Sequence, residues 1–292
     1  TSELQSRRDL VCRLLLDNLR GHLIIERWIL KNKSRRVWTR DEMTAAELKK
    51  SYVEAVYSGN PIMDLASDNN IEADETLWPK EDGYKVLLLP GSRQDAYNDV
   101  RLLLGAAELV SKEVEASFLM VIAPSIEWDK MASNLKDYSL DGDILVKDGL
   151  KVKVTFCPVS SAAEKADILL GLGGTANQVC AGLGVPVVSI DDKGKRVQKK
   201  LLGDAEVLVK RDPRKLALEV VSILKDRERH KYMSLVGRQR MGQPGAIEDV
   251  SRYLLYELGW KHRHDLYCFL EERLLHVSED INNGEEVKLR VE

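Results

Sequence analysis

The sequence predicts an α/β protein built on a doubly wound, Rossmann-like parallel sheet. Three observations lead there: continuous apolar runs recur between residues 85 and 209, helical patterns separate them, and glycine-rich turns follow two of the runs. Parallel strands need crossover helices, so a regular strand–helix alternation of this length selects a parallel sheet. The 292 residues, 44% hydrophobic and 31% charged, are enough for a sizeable core and have ordinary globular usage. Lys and Arg number 44 against 47 Asp and Glu, a net charge of −3, which argues against nucleic acid as the partner.

Taken in order, residues 8–30 place Leu10, Leu14, Leu15, Leu19 and Leu23 at helical spacing and continue into Ile24, Ile25, Trp28, Ile29 and Leu30. The basic cluster Lys31, Lys33, Arg35 and Arg36 follows, which fits either cations at the end of a core helix or a helix lying on an anionic membrane surface. Thr39 and Glu42 have capping-box spacing and open a helix to Lys50. Val53–Tyr57 reads as a short strand, stopped by Ser58-Gly59-Asn60-Pro61. Asp64 to Asp82 is acidic, with Lys80 its single base, and reads as an interdomain linker.

Lys85–Leu89 is a strand buried on both faces and ended by Pro90-Gly91. Residues 96–112 follow as a helix, 117–123 as a strand, 127–135 as a helix, 144–146 as an edge segment and 151–156 as a third strand. Ser161 and Glu164 repeat the capping-box spacing, which accounts for Ser160-Ser161 without a hydrolase. Residues 167–170, 186–190 and 205–209 supply three more strands, each with a helical pattern after it. Asp212-Pro213 places an N-cap before Pro at the first helical position, and helices run on to Leu258. In the tail, Leu266, Phe269, Leu270, Leu274 and Leu275 form a helical stripe that fits the domain or a second copy of the chain.

Ligands of doubly wound sheets bind beyond the carboxyl ends of the strands. Two turns there carry chemistry. Pro90-Gly91-Ser92-Arg93 offers a sharp turn, a hydroxyl and a guanidinium fork suited to phosphate. Gly171-Leu172-Gly173-Gly174-Thr175-Ala176 exposes backbone N–H groups at a helix N-terminus, where a phosphate or diphosphate is held. Asn177 and Gln178, in the first turn beyond, are of a type to bond sugar hydroxyls. The second turn also matches G-x-G-x-x-A, with Asp191 at the end of the next strand, so a nicotinamide dinucleotide is an alternative ligand.

Lys193, Lys195, Arg196, Lys199 and Lys200 read as a solvated helix face from which one cation reaches a phosphate. His262, His264 and Cys268 lack a fourth metal ligand at matching spacing, so no metal is expected. The four cysteines, Cys12, Cys157, Cys180 and Cys268, are scattered, which suits a reducing compartment.

The ordered set Val37-Trp-Thr-Arg-Asp41, Thr44-Ala45, Ser58-Gly-Asn-Pro-Ile-Met-Asp64, Leu87-Leu-Leu-Pro-Gly-Ser-Arg93, Gly174-Thr-Ala176, Ala181-Gly-Leu-Gly-Val-Pro-Val187 and Arg240-Met-Gly-Gln-Pro-Gly245 resembles the lipid-A-disaccharide synthase family and its uncharacterised relatives. The likeness covers residues 37–258. It implies the C-terminal half of a GT-B glycosyltransferase fold: residues 1–63 as a remnant of the acceptor-side domain, 64–83 as the linker, 84–258 as the nucleotide-sugar domain and 259–292 as a helical tail. Gly91, Ser92, Arg93, Gly173, Gly174, Thr175 and Ala176 would contact the diphosphate of a UDP-sugar, and Asn177 and Gln178 would face its ribose.

The activity implied is sugar transfer to a lipid-linked or other hydroxyl acceptor, without a further cofactor, in the cytoplasm or an organellar stroma and peripheral to a membrane. Two departures stand out. Only residues 1–36 precede the Trp38 region, where relatives carry most of a domain, and Gln178 stands where they carry a glutamate. A non-catalytic nucleotide-sugar-binding remnant, a UDP-sugar epimerase and an NAD-dependent oxidoreductase therefore remain as alternatives.

Overall fold

The computed structural model describes residues 24–67, 77–79 and 82–257. Residues 8–23 of the helix expected over 8–30, most of the acidic linker and everything from residue 258 on, including His262, His264, Cys268 and the tail stripe, lie outside them. Contacts divide the chain into one unit through Ala246 and a second from Ile247.

The first unit begins with α1 (Ile24–Lys33), β1 (Val37–Trp38), α2 (Glu42–Lys49), β2 (Ala55–Val56) and α3 (Pro61–Ser67). β1 and β2 form a two-stranded parallel sheet, and Leu30, Val37, Leu48, Val53 and Ala55 close a small core around it. The inward side of α1 is thus Leu30, as a core helix requires, while Ile25 and Trp28 stay exposed. Asp41, not Thr39, caps α2: its carboxylate accepts from Thr44 N at 2.7 Å, while Thr39 Oγ1 donates to the Asp41 and Val56 carbonyls. The Asp41 carboxylate meets two donors, one on each oxygen: Thr44 N on Oδ1 and Thr44 Oγ1 on Oδ2.

The main sheet has eight strands: β3 (Tyr84–Leu89), β4 (Ala116–Val121), β5 (Ser139–Asp141), β6 (Ile144–Lys147), β7 (Leu150–Thr155), β8 (Ile168–Gly171), β9 (Val187–Ile190) and β10 (Glu206–Val209). Their spatial order is β10-β9-β8-β3-β4-β7-β6-β5, parallel except for the β5–β6 and β6–β7 pairs. The six parallel strands follow the Rossmann order, with the direction of winding reversing between β3 and β8. The edge segment expected near Ile144 is one strand of a meander that includes β5. Asp148 and Gly149, both at positive φ, make the two-residue turn into β7.

Helices α4 (Ala96–Val110), α5 (Trp128–Ser133), α6 (Val159–Ala163), α7 (Thr175–Gly182), α8 (Lys193–Leu202), α9 (Pro213–Lys225) and α10 (Arg227–Met241) link the strands and cover both faces. Within each apolar run the side chains alternate: Val86, Leu88, Met120, Ile168 and Leu170 meet α4 and α9, while Leu87, Leu89, Leu119 and Leu169 meet α6, α7 and α8. This explains why the runs show no polar alternation. α6 starts after Pro158, so Ser160 and Ser161 lie inside the helix and neither is its cap. Asp212 caps α9 as expected, accepting from Arg214 N at 2.8 Å. The helix α11 (Ala246–Glu257) has Glu248 and Asp249 in its first turn and an Arg252–Glu248 pair one turn apart.

Candidate functional site

β3 and β8 are neighbours in the sheet, Leu89 pairing with Gly171, so the two turns singled out by sequence emerge side by side at the point where the winding reverses. Leu172 N donates to the Leu89 carbonyl at 2.8 Å, and a Cβ on Gly91 would stand 3.8 Å from the Leu172 carbonyl oxygen. The turns therefore lie side by side, joined at their base by that bond, and a methyl group at Gly91 would just reach the second turn. Gly91 has a φ of 109°, a left-handed value that favours glycine. Ser92 and Arg93 are exposed beyond it, and Ser125, in the loop after β4, donates from Oγ to the Ser92 carbonyl at 2.9 Å.

On the β8 side, Gly173 is buried while Gly174 and Thr175, at the start of α7, are exposed. A Cβ on Gly174 would meet nothing within 4 Å, so the mouth of the turn is open. Asn177 does not face that opening: it is fully buried and donates from Nδ2 to the Gly171 carbonyl at 2.9 Å. Ser189 Oγ donates to the same carbonyl at 2.6 Å. Asn177 thus supports the turn from below instead of meeting a ribose, while Gln178, beside it, is half-buried.

Sequence reasoning missed the polar cluster beneath the turn. Lys195, in the first turn of α8, is buried and donates from Nζ to the Gly173 carbonyl. Glu206, at the start of β10, is wholly buried and accepts from Gln198 Nε2 at 2.7 Å, while its Oε2 has no hydrogen-bond partner. Burial drives the Lys195 pKa down to about 8, with Arg93 pushing the same way against Glu206, Asp192 and Asp99. Burial likewise raises Glu206 to about 7, with Lys195 the main opposing influence. Arg93 follows Gly91 in the turn after β3, which neighbours β8, and is exposed there, with its charge adding a small downward influence on Lys195.

Three nearby carboxylates are engaged elsewhere: Asp99 pairs with Arg211, Asp191 with Arg196 at 2.6 Å, and Asp192 caps α8 by accepting from Lys195 N. Asp95, two residues beyond Arg93, is exposed and makes no cap bond to α4. The rim thus presents amides and cations, which attract an anion, with one exposed carboxylate at its edge. Of the basic run, Lys193 and Lys200 are exposed, Arg196 holds Asp191 and Lys199 donates to the Gly203 and Glu206 carbonyls. Lys195 alone of these five turns inward to the glycine turn.

The dinucleotide alternative loses ground on this geometry. Its acidic residue, Asp191, is already held by both Arg196 Nε and Nη2, and the glycine turn follows the fourth parallel strand of the sheet instead of the first. Among the described residues no group of three or more His, Cys, Asp or Glu is placed to hold a metal, and no helix is long and apolar enough to cross a membrane.

The motifs at Ser58–Asp64 and Arg240–Gly245 have a structural role. Asn60 N donates to the Met241 carbonyl at 3.2 Å, Gly245 N donates to Asp64 Oδ1, and a Cβ on Gly59 would stand 2.7 Å from the Gln243 carbonyl oxygen. They lock onto each other, and the close approach leaves no room for a side chain at Gly59.

No family model matches the sequence, and no curated protein matches it. Among solved structures the chain is similar to UDP-GlcNAc 2-epimerase from Neisseria meningitidis bound to UDP-GlcNAc, with a TM-score of 0.59, 16% identity, and 85% of this chain against 69% of that one. It is similar to S. aureus MnaA in a co-structure with UDP, with a TM-score of 0.59, 13% identity, and 80% of this chain against 64% of that one. UDP-GlcNAc 2-epimerase from Methanocaldococcus jannaschii, in complex with UDP-GlcNAc and UDP, gives a TM-score of 0.54 at 18% identity, covering 85% of this chain and 68% of that one. The chain thus spans about two thirds of the length of these neighbours. The likeness establishes the fold class: a Rossmann-like α/β fold of the GT-B kind.

Proposed function

We propose that this chain binds a UDP-sugar at the rim between β3 and β8, with the diphosphate between Gly91–Arg93 and Gly173–Ala176. The observation that carries the reading is the adjacency of two phosphate-type turns at the reversal of the sheet's winding, one carrying Arg93 and the other leading into the N-terminus of α7. Cleavage of the sugar–phosphate bond leaves charge on the departing diphosphate, and fixed amides and a guanidinium stabilise that charge.

The reaction we favour is epimerisation of the UDP-sugar. Its support is that two of the structural neighbours named above carry that activity in their names. Transfer to a lipid or other hydroxyl acceptor, the reading implied by the ordered motifs shared with lipid-A-disaccharide synthase, comes second. It has no support from those neighbours.

Calorimetric titration with UDP, UDP-GlcNAc and NAD tests the binding reading. UDP and UDP-GlcNAc should bind and NAD should not; tight NAD binding without UDP binding would overturn it. Incubation with UDP-GlcNAc, followed by NMR, then separates the reactions: epimerisation yields a UDP-sugar epimer without acceptor, whereas transfer releases UDP only when an acceptor is added.

A further inference from the structure

Lys195 is the buried charge that the site does not yet explain. Its Nζ has three donors and spends one on the Gly173 carbonyl, and among the described residues no carboxylate lies within ion-pair distance of it. A buried ammonium so poorly paired is costly. Its surroundings bear on why it is there. Glu206 faces it from β10, Asp192 from the cap of its own helix, Asp99 from α4 and Arg93 from the β3–α4 turn. Asp99 is already held by Arg211, and Glu206 by Gln198. Without Lys195, the Gly173 carbonyl would be free to turn its negative end toward the mouth of the cradle, where it would repel a phosphate.

We propose that Lys195 is the positioning residue of the phosphate cradle: its ammonium holds the Gly173 carbonyl back from the bound diphosphate and adds a fixed positive charge to that of Arg93. The role rests on the UDP-sugar reading above and deepens it. It makes affinity depend on one proton, because a neutral amine neither repels nor attracts a phosphate and is a weaker donor to the carbonyl. The lowered pKa of Lys195, about 8, puts that loss just above neutrality.

The test compares the wild-type chain with Lys195→Met and Lys195→Arg by calorimetry, at about pH 7 and about pH 9.5, either side of the lysine's window, with each UDP affinity taken relative to that of uridine at the same pH because the uracil ring itself ionises toward the upper value. The wild type should lose about tenfold in UDP affinity between the two, in keeping with the loss of one charged hydrogen-bonding group. Lys195→Met should be about tenfold weaker at both pH values, and Lys195→Arg, which stays charged, should show the smaller pH dependence. Uridine binding should be alike in all three. Wild-type UDP affinity and pH dependence in Lys195→Met would overturn the proposal.

A second readout needs no ligand. Amide hydrogen exchange over residues 171–178 should quicken in Lys195→Met and return toward wild type in Lys195→Arg. If the wild type does not bind UDP, the functional reading fails, and faster exchange in Lys195→Met still supports the positioning of Gly173. Unchanged exchange would overturn that as well.

Discussion

Substituting two glycines three residues apart should give opposite results. At Gly171 an added Cβ would stand 2.4 Å from Asn177 Oδ1, and 2.8 Å from both Asn177 Cγ and Leu169 Cδ2. These contacts are too short to survive, and the asparagine is buried among groups that cannot give way, so Gly171→Ala must displace it. The displacement breaks the 2.9 Å bond from Asn177 to the Gly171 carbonyl. Loss of that bond costs about 1 kcal/mol and overpacking about 1–3 kcal/mol, for a total of roughly 2–4 kcal/mol. At Gly174 a Cβ meets nothing within 4 Å and φ is −93°. Gly174→Leu should therefore cost stability no more than about 1 kcal/mol, mainly as a poor N-cap, while its side chain fills the mouth of the cradle. Urea unfolding with an unchanged slope reads the first effect, and UDP titration of the folded variant reads the second. The reasoning fails if Gly171→Ala is as stable as wild type, or if Gly174→Leu binds UDP undiminished.

Three further outcomes follow from the same geometry. On the proposed reading, in which the guanidinium meets phosphate and not base, Arg93→Ala should weaken UDP about tenfold or more while leaving uridine nearly unchanged; equal losses for both ligands would contradict this. Gly237→Ala would place a Cβ 2.2 Å from the Ala181 carbonyl oxygen, so α10 must move off α7. A loss of at least about 2 kcal/mol of unfolding free energy, seen as a lower urea midpoint, is expected, and an unchanged midpoint would show that the helices are not so closely packed. Glu206 is raised by burial from its ordinary 4.5 to about 7, so the folded chain keeps a proton that the unfolded chain has released, and stability falls as pH rises through that window. At 1.36 kcal/mol per pH unit the fall is roughly 3 kcal/mol, and Glu206→Gln should flatten it; a profile from pH 4.5 to 7 with the same slope in the variant would remove Glu206 as its source.

The sheet and both phosphate-type turns were legible because each rests on a local signal. An apolar run such as Val86–Leu89 can be satisfied only with helices on both faces, and a glycine turn between strand and helix has few other uses. The meander was read only in part: Asp148-Gly149 is a strong hairpin signal, but regular parallel alternation on both sides masked it. The cap of α2 went to Asp41 instead of Thr39 because both are good capping types and only the structure shows which one reaches Thr44 N. The cluster of Asn177, Ser189, Lys195, Gln198 and Glu206 left no local signal at all. Those residues come together because β8, β9 and β10 are adjacent and α7 and α8 lie over them. In sequence, Lys195 is one cation in a basic run, and the ordinary expectation for such a run is water.

The two ends of α7 explain why its N-terminus can serve as a fixed donor. At the C-terminal end, Gly182 lies so close to Met63 that a Cβ would stand 2.3 Å from its Sδ, and Gly237 brings α10 equally close at Ala181. α3, which carries Met63, is in turn tied to the end of α10 through Asn60 N and the Met241 carbonyl. At the N-terminal end, the Gly171 and Gly173 carbonyls are held by Asn177, Ser189 and Lys195. Pinned by small-residue packing at one end and by hydrogen bonds at the other, the helix has little freedom to rock, so its first amides need not be reordered when an anion arrives. On the proposed reading of the site, the motifs at Ser58–Asp64 and Arg240–Gly245 support it without touching it: loosening that lock should blunt UDP affinity through α7, with the residues of the rim untouched.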